Sequence, residues 1–268
     1  MKQVLLRPRD ARAASATPLR SDTLFGLIAL GVRMVHGKSA VEKMVEPMLG
    51  DPGRAALRLT SAFPFEQRAD GIVYRFPRPR SSDGSSFARS PFIEDRQLLA
   101  FVSGRGVAEE AAEPAAIDAA GSFFLVAGPF EHLVDGAVRF LERFGFGGNA
   151  FEVEVREAEF LRLAEPGERG LLLSLHLPTL EERAAAAKAD GAAWGVERRA
   201  GFFGGRLGGT PGMDARKRAV AMWTEGSLVP CVGAMGGAAV VGVDPVENHP
   251  IVQHGFGFLV PVAAGAAA

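Results

Sequence analysis

The chain has one cysteine, Cys231, among its 268 residues, which excludes an intramolecular disulfide and any zinc site built from several thiolates. Long hydrophobic runs are missing too. None reaches the roughly 18 apolar residues of a membrane span, and the opening MKQVLLRPRD returns to charge after Val4-Leu5-Leu6, too soon for a signal peptide. A cytoplasmic protein with no membrane partner is expected. An excess of one charge sign is also absent, since 30 Lys and Arg balance 31 Asp and Glu for a formal net of −1. Catalytic signatures are scarce. Gly37-Lys38-Ser39 has the tail of a phosphate-binding loop, but Val32 stands where the first glycine is needed, and a helix pattern precedes it instead of a strand. The histidines His36, His132, His176, His249 and His254 form no HxxxH or HExxH pair, and there is no Gly-x-Ser-x-Gly elbow. Glu152 and Glu154 alternate with apolar residues, as on a solvated strand face. A non-catalytic protein without cofactor or metal is the expectation.

With 47% hydrophobic and 23% charged residues the chain is globular, and its length allows one large or two small domains. The balanced charge hides a division. Residues 107–190 carry 16 acidic and 7 basic side chains, while the rest carries 15 acidic and 23 basic. A basic face for a polyanion can therefore sit beside an acidic face for solvent or a protein partner. Arginine, suited to bidentate phosphate contact, supplies 25 of the 30 basic residues.

The apolar pattern predicts an opening strand at Val4-Leu5-Leu6 and a helix starting at Ser21-Asp22-Thr23, with Leu24, Leu27, Ile28, Gly31 and Val35 on one face and a Ser or Asp N-cap. A second short helix is expected over 40–50. Strands at 57–61 and 72–76 follow, joined through Phe63-Pro64-Phe65 and a turn at Asp70-Gly71. The Pro-, Arg- and Ser-rich stretch 77–91 reads as an insertion. Beyond it come a helix over 93–102, a strand over 123–126, a helix over 132–144, the glycine loop Gly145-Phe146-Gly147-Gly148 and a strand from Phe151. That order, β-α-β-β-α-β, is the ferredoxin-like or RRM-like arrangement. Glu165-Pro166-Gly167 marks a boundary, and the pattern partly restarts with a strand over 171–177, a helix over 179–188, a strand over 194–199, the glycine-rich run 201–212 and strands near 216–223 and 226–230. The expected fold is α+β, with two ferredoxin-like domains, 1–165 and 166–268, and an insertion near 77–91.

What remains is a binding constellation. Glycine loops let backbone N–H groups approach phosphates that a Cβ would hold off, and the helix start at Ser21-Asp22-Thr23 offers N–H groups to an anion. Arg198, Arg199, Arg206, Arg216, Lys217 and Arg218 surround the second glycine run, whose Phe202 and Phe203 can stack on bases. Each feature also has an ordinary explanation, glycines as turns and phenylalanines as core.

Taken in order, Ser21-Asp22-Thr23-Leu24-Phe25-Gly26, Gly145-Phe146-Gly147-Gly148, Ser174-Leu175-His176-Leu177-Pro178-Thr179, Arg199-Ala200-Gly201-Phe202, Arg216-Lys217, Glu225-Gly226-Ser227 and the closing His254-Gly255-Phe256-Gly257-Phe258 resemble the RAMP proteins of CRISPR effectors. The nearest resemblance is to the subunit-four family of the Csm (type III-A) complex, over almost the whole chain. That resemblance implies a subunit in antiviral defence that caps the repeat-derived 5′ handle of the CRISPR RNA. It also implies contacts with the large polymerase-like subunit and the backbone RAMP subunit, and a thumb, for which 77–91 is the candidate. The RNA-binding residues it implies are Ser21, Asp22, Thr23, Gly145, Gly147, Gly148, Arg199, Gly201, Phe202, Arg216, Lys217, Gly226 and Ser227. Two other readings stay open: a RAMP-type endoribonuclease processing CRISPR precursor RNA, with His36 or the sole tyrosine, Tyr74, as its acid–base group, and a scaffold that touches only proteins.

Overall fold

The computed structural model describes residues 1–9, 19–50, 57–80, 91–105, 119–128, 131–144, 151–158, 161–200, 217–232, 237–243 and 250–264. The first half is built on one antiparallel sheet. Strand β1 (Lys2–Pro8) lies between β6 (Gly121–Ala127) and β7 (Phe151–Glu157), and the path runs β5-β4-β3-β6-β1-β7, with the short β2 (Arg58–Leu59) also on β6. Within it β7, β1, β6 and β3 (Phe63–Arg68) stand side by side. The crossovers are α1 (Ser21–His36), after β1, and α4 (Glu131–Phe144), between β6 and β7. The buried apolar residues of β1, Val4, Leu5 and Leu6, alternate between the two faces of the sheet. Val4 and Leu6 join Leu24, Ile28, Val32, Val134 and Val138 under α1 and α4, and Leu5 joins Phe63, Phe76, Phe123 and Phe101 on the opposite face. The latter face is closed by α3 (Asp95–Val102) and by strands of the second half.

Several local expectations are corrected. Phe63-Pro64-Phe65 is the start of β3 and not a connector. Pro64 is tolerated there because the ladder to β4 (Gly71–Pro77) begins only at Phe65↔Tyr74, so the missing N–H removes no bond on that side. The expected strand at 57–61 shrinks to β2, and the hairpin turns at Gly71 with φ +144°. Ile93 lies in β5 (Phe92–Glu94), ahead of α3, whose Glu94 and Gln97 form a reciprocal capping box. The N-cap of α1 falls on Arg20, without a side-chain cap, and Ser21 is the first helical residue. The adjacent α2 (Lys38–Gly50) begins two residues earlier than expected.

The second half has smaller sheets. Strand β8 (Arg169–Leu172) is flanked by β11 (Leu228–Pro230) and β14 (Leu259–Val262), β9 (Val196–Arg199) pairs with β10 (Val220–Trp223), and β12 (Gly237–Val243) pairs with β13 (Pro250–Gly255). Helix α5 (Leu180–Lys188) starts at a second capping box, in which Thr179 Oγ1 accepts from the Glu182 N–H and Glu182 Oε2 accepts from the Thr179 N–H. The buried His176 ring meets the other Glu182 oxygen at 3.1 Å. No four-stranded sheet forms in this half among the described residues. The core crosses the boundary at 165/166: Leu5 and Phe123 pack in one cluster with Leu171, Leu173, Leu228, Phe258 and Val260.

Candidate nucleic-acid interface

The start of α1 is where the two halves meet. Its first N–H groups would be orphans in an isolated helix, and two of them are satisfied, one across the fold and one locally. Ser61 Oγ accepts from the Ser21 N–H at 3.0 Å, and Asp22 Oδ1 accepts from the Thr23 N–H at 2.8 Å. Ser21 is fully buried, and its hydroxyl accepts from the Leu175 N–H at 3.1 Å. The helix start therefore serves first as an internal joint between halves.

A chain of alternating charges extends from that joint. Ser61 Oγ donates to Glu225, whose other oxygen holds Arg20. Arg20 Nη2 also donates to Glu197 at 3.0 Å, and Arg199 Nη1 reaches the second Glu197 oxygen at 2.9 Å. Arg199 then grips Asp22 with two bonds of 3.1 Å, and Gln253 Nε2 donates to Asp22 at 2.6 Å. Burial works against the Arg199 guanidinium's charge, but Asp22 and Glu197 outweigh it and hold its pKa above the usual arginine range. Half-buried Lys217 is pulled below the ordinary lysine value by burial, against the attraction of Asp22 and with the help of Arg199's repulsion. The fork of Arg199 across Asp22 is the bidentate geometry that a point-charge ammonium cannot reproduce.

Two clefts flank this network. One, of about 580 Å³, lies between α1 and α2 over β13, with Phe25, Ala29, Val41 and Val45 on its walls and Arg33, Lys38 and Lys217 among its charges. The buried His254 ring closes its floor, stacked on Phe25 with ring centroids 4.5 Å apart. The other, of about 530 Å³, lies between the base of the 77–91 insertion and the β9–β10 ribbon.

Among the predicted RNA-binding residues, Ser21, Asp22, Thr23, Arg199 and Lys217 gather around the α1 start, and Gly226 and Ser227 directly follow Glu225 of the charge chain. Ser227 is fully buried, its hydroxyl donating to the Thr224 carbonyl at 2.6 Å and accepting from the Gly195 N–H at 3.2 Å. Gly226, at φ +81°, lies against the Arg78 carbonyl oxygen, where a Cβ would clash. Gly145, Gly147, Gly148, Gly201, Phe202 and Arg216 lie outside the described residues, as does 81–90 of the insertion. The alternative acid–base candidates stand on separate elements. His36 is exposed at the end of α1, whereas Tyr74 is half-buried on β4, edge-on to Phe123, with its hydroxyl 3.3 Å from Gln3 Oε1. Sequence reading missed Arg20, Glu197, Glu225 and Gln253 as partners in the charge chain. The signal for Arg20 was its place directly before Ser21-Asp22, and Glu225 stood beside a chosen glycine. Among the described residues no cluster of three or more His, Cys, Asp or Glu could hold a metal, and no helix is long and apolar enough to cross a membrane.

No protein-family model matches the chain. It is 26% identical, over 78% of its length and 81% of the relative's, to the CRISPR system Cms protein Csm4 of Thermococcus onnurineus strain NA1. Its fold matches a chain of the Csm1–Csm4 cassette in complex with cA3, with TM-score 0.60, 22% identity and coverage of 98% of this chain and 97% of that one. It also matches a chain of the Csm3–Csm4 subcomplex of the type III-A CRISPR-Cas interference complex, with TM-score 0.61, 16% identity and coverage of 98% and 100%. The mixed α/β architecture with antiparallel sheets is thus the fold of those Csm-complex chains. In sequence the chain is similar to Csm4 over most of both lengths, the family that the order of its motifs resembles.

Proposed function

We propose that the chain is the non-catalytic subunit of a type III-A CRISPR effector that binds and caps the repeat-derived 5′ handle of the guide RNA, seated between a large Csm1-like subunit and a Csm3-like backbone subunit. The observation that carries this reading is the similarity to Csm4 across most of both chains. The geometry supports it in two ways. Arg199 and Lys217, expected at the RNA, stand together at the α1 start, where the halves join. The spatial order β7-β1-β6-β3, with α1 and α4 as crossovers, supports a ferredoxin-like first half. Asp22, Ser21 and Ser227 shape the surface from within, and Arg199, Lys217, Arg218 and the glycine runs would meet the backbone of the RNA.

The experiment is to purify the tagged full chain from its host at low salt, sequence the RNA that accompanies it and identify the proteins. Guide RNAs sharing one repeat-derived 5′ end, with Csm1- and Csm3-like proteins, are expected. RNA with random ends, or none, would sink the reading. Replacing Arg216, Lys217 and Arg218 with Ala should weaken guide retention and flatten its salt dependence, since each lost phosphate contact removes released counterions.

A further inference from the structure

The two ends of the 77–91 insertion are tied down. The Arg78 N–H donates to the Pro91 carbonyl at 2.9 Å, closing the base, and the Arg80 N–H donates to the Gly226 carbonyl at 2.8 Å. Arg80 Nη2 donates to Thr224 Oγ1 at 3.0 Å. Two glycines make this seat possible. A Cβ on Gly226 would strike the Arg78 carbonyl, and one on Gly195 would stand 2.5 Å from Arg80 Cζ. The base of the insertion consequently lies flat on the second half, and the cleft of about 530 Å³ opens beside it.

The chemistry of this cleft is specific. Apolar side chains stand on both sides of it, half-buried Phe92 beside the insertion base and Val196, which is 63% exposed, on β9. Arg20, Arg78 and Arg80 line it, and so do Glu197 and Glu225. Arg20 already engages both carboxylates. Arg80 is held instead by the neutral Thr224 hydroxyl, in a position that fixes its guanidinium without cancelling its charge. Apolar side chains beside an oriented guanidinium that no carboxylate pairs among the described residues form the combination that holds single-stranded nucleic acid, base on one side and phosphate on the other. The volume is that of a small-ligand site.

We propose that this cleft is a subsite for one nucleotide of single-stranded RNA, with its base against Phe92 and Val196 and its phosphate on Arg80. The proposal rests on the RNA-binding reading above and adds a place and residues outside the predicted set. An acidic peptide would use the same arginine without needing the apolar side chains, and the test separates the two.

The assembled complex carrying wild-type chain, Arg80→Ala or Arg80→Lys is titrated with a short fluorescein-labelled single-stranded RNA at several salt concentrations. Arg80→Ala should weaken binding roughly tenfold and reduce the salt slope by about 0.7, the value for one phosphate contact on a single strand, while Arg80→Lys keeps the slope. In the wild-type complex, RNA bearing 4-thiouridine should cross-link to Phe92 or Val196, a readout that needs no variant to fold. Unchanged affinity and slope in Arg80→Ala, or cross-links confined to other residues, overturn the subsite and leave the RNA-binding reading intact. Loss of a protein subunit from the Arg80→Ala complex at undiminished RNA affinity overturns it in favour of a peptide partner. A wild-type complex that binds no RNA overturns the broader reading with it.

Discussion

Asp22 and Arg199 illustrate how a residue chosen for one task performs another. The Asp22 side chain is 6% exposed and accepts from Arg199, Gln253 and the Thr23 N–H. Removing the guanidinium strands a nearly buried carboxylate, so Arg199→Ala should destabilise the fold by about 1–3 kcal/mol. Asp22→Asn combined with it should cost less than the sum of the single changes. A denaturant midpoint unmoved by Arg199→Ala would show that the pair contributes nothing to the joint. His254 is a second case. Burial lowers its pKa from 6.5 to about 4, opposed by the bond to the Leu57 carbonyl and by Asp22 and reinforced by the neighbouring Arg58 charge. Between those values the unfolded chain binds a proton that the folded one refuses. This stability is therefore complete above pH 6.5 and lost as pH falls toward 4, on the order of 3 kcal/mol. Melting the protein across that range should reveal the decline, and His254→Phe should flatten it. An equally steep decline in the variant would assign it to other groups.

At the scale of elements, α1 and α4 approach each other closely. A Cβ on Gly31 would lie 2.5 Å from the Ala137 carbonyl oxygen and 2.8 Å from its Cα, so Gly31→Ala must push two helices apart and should cost about 1–3 kcal/mol. Gly26, on the exposed side of the same helix, has nothing within 4 Å of a Cβ, and Gly26→Ala should stabilise by up to about 1 kcal/mol. Urea titrations of the pair compare crowding with propensity in one helix, and equal effects would refute the close-packing account. Gly31 was legible in the sequence because it fell on the apolar face of α1, and the long periodic helices α1 and α4 were legible for the same reason. Strands β12 and β13 were not, because a Gly- and Ala-rich segment such as Gly237–Val243 has little strand signal of its own and is defined by its partner, across a register shift between Val240 and Gly242. The site was legible to the same extent. Ser21, Asp22 and Arg199 were chosen together from the order of the motifs, but their pairing depends on Ser61, Glu197 and Gln253, which that order did not single out.

For the whole molecule, the question is whether the halves expected at 1–165 and 166–268 fold as separate units. Hydrogen bonds cross that boundary from both sides. The Ser61 N–H donates to the Leu173 carbonyl at 2.9 Å, and the Leu175 N–H donates to Ser21 Oγ. Phe256 packs among the α1 and α4 residues, while Leu5 and Phe123 share a cluster with Leu171, Leu173 and Phe258. Separating the halves would expose the Leu5 and Phe123 face of the sheet and the patch of the other face under Phe256, and burial of that apolar area is the dominant stabilising term. Unfolding should therefore be one cooperative transition, with calorimetric and van't Hoff enthalpies equal and far-UV circular dichroism coincident with the fluorescence of Trp194 and Trp223, both in the second half. Expressed alone, 166–268 should fail to give a cooperative melt. Two resolved transitions, or a folded isolated second half, would mean that the network from Ser61 to Gln253 joins two independent domains instead of completing one.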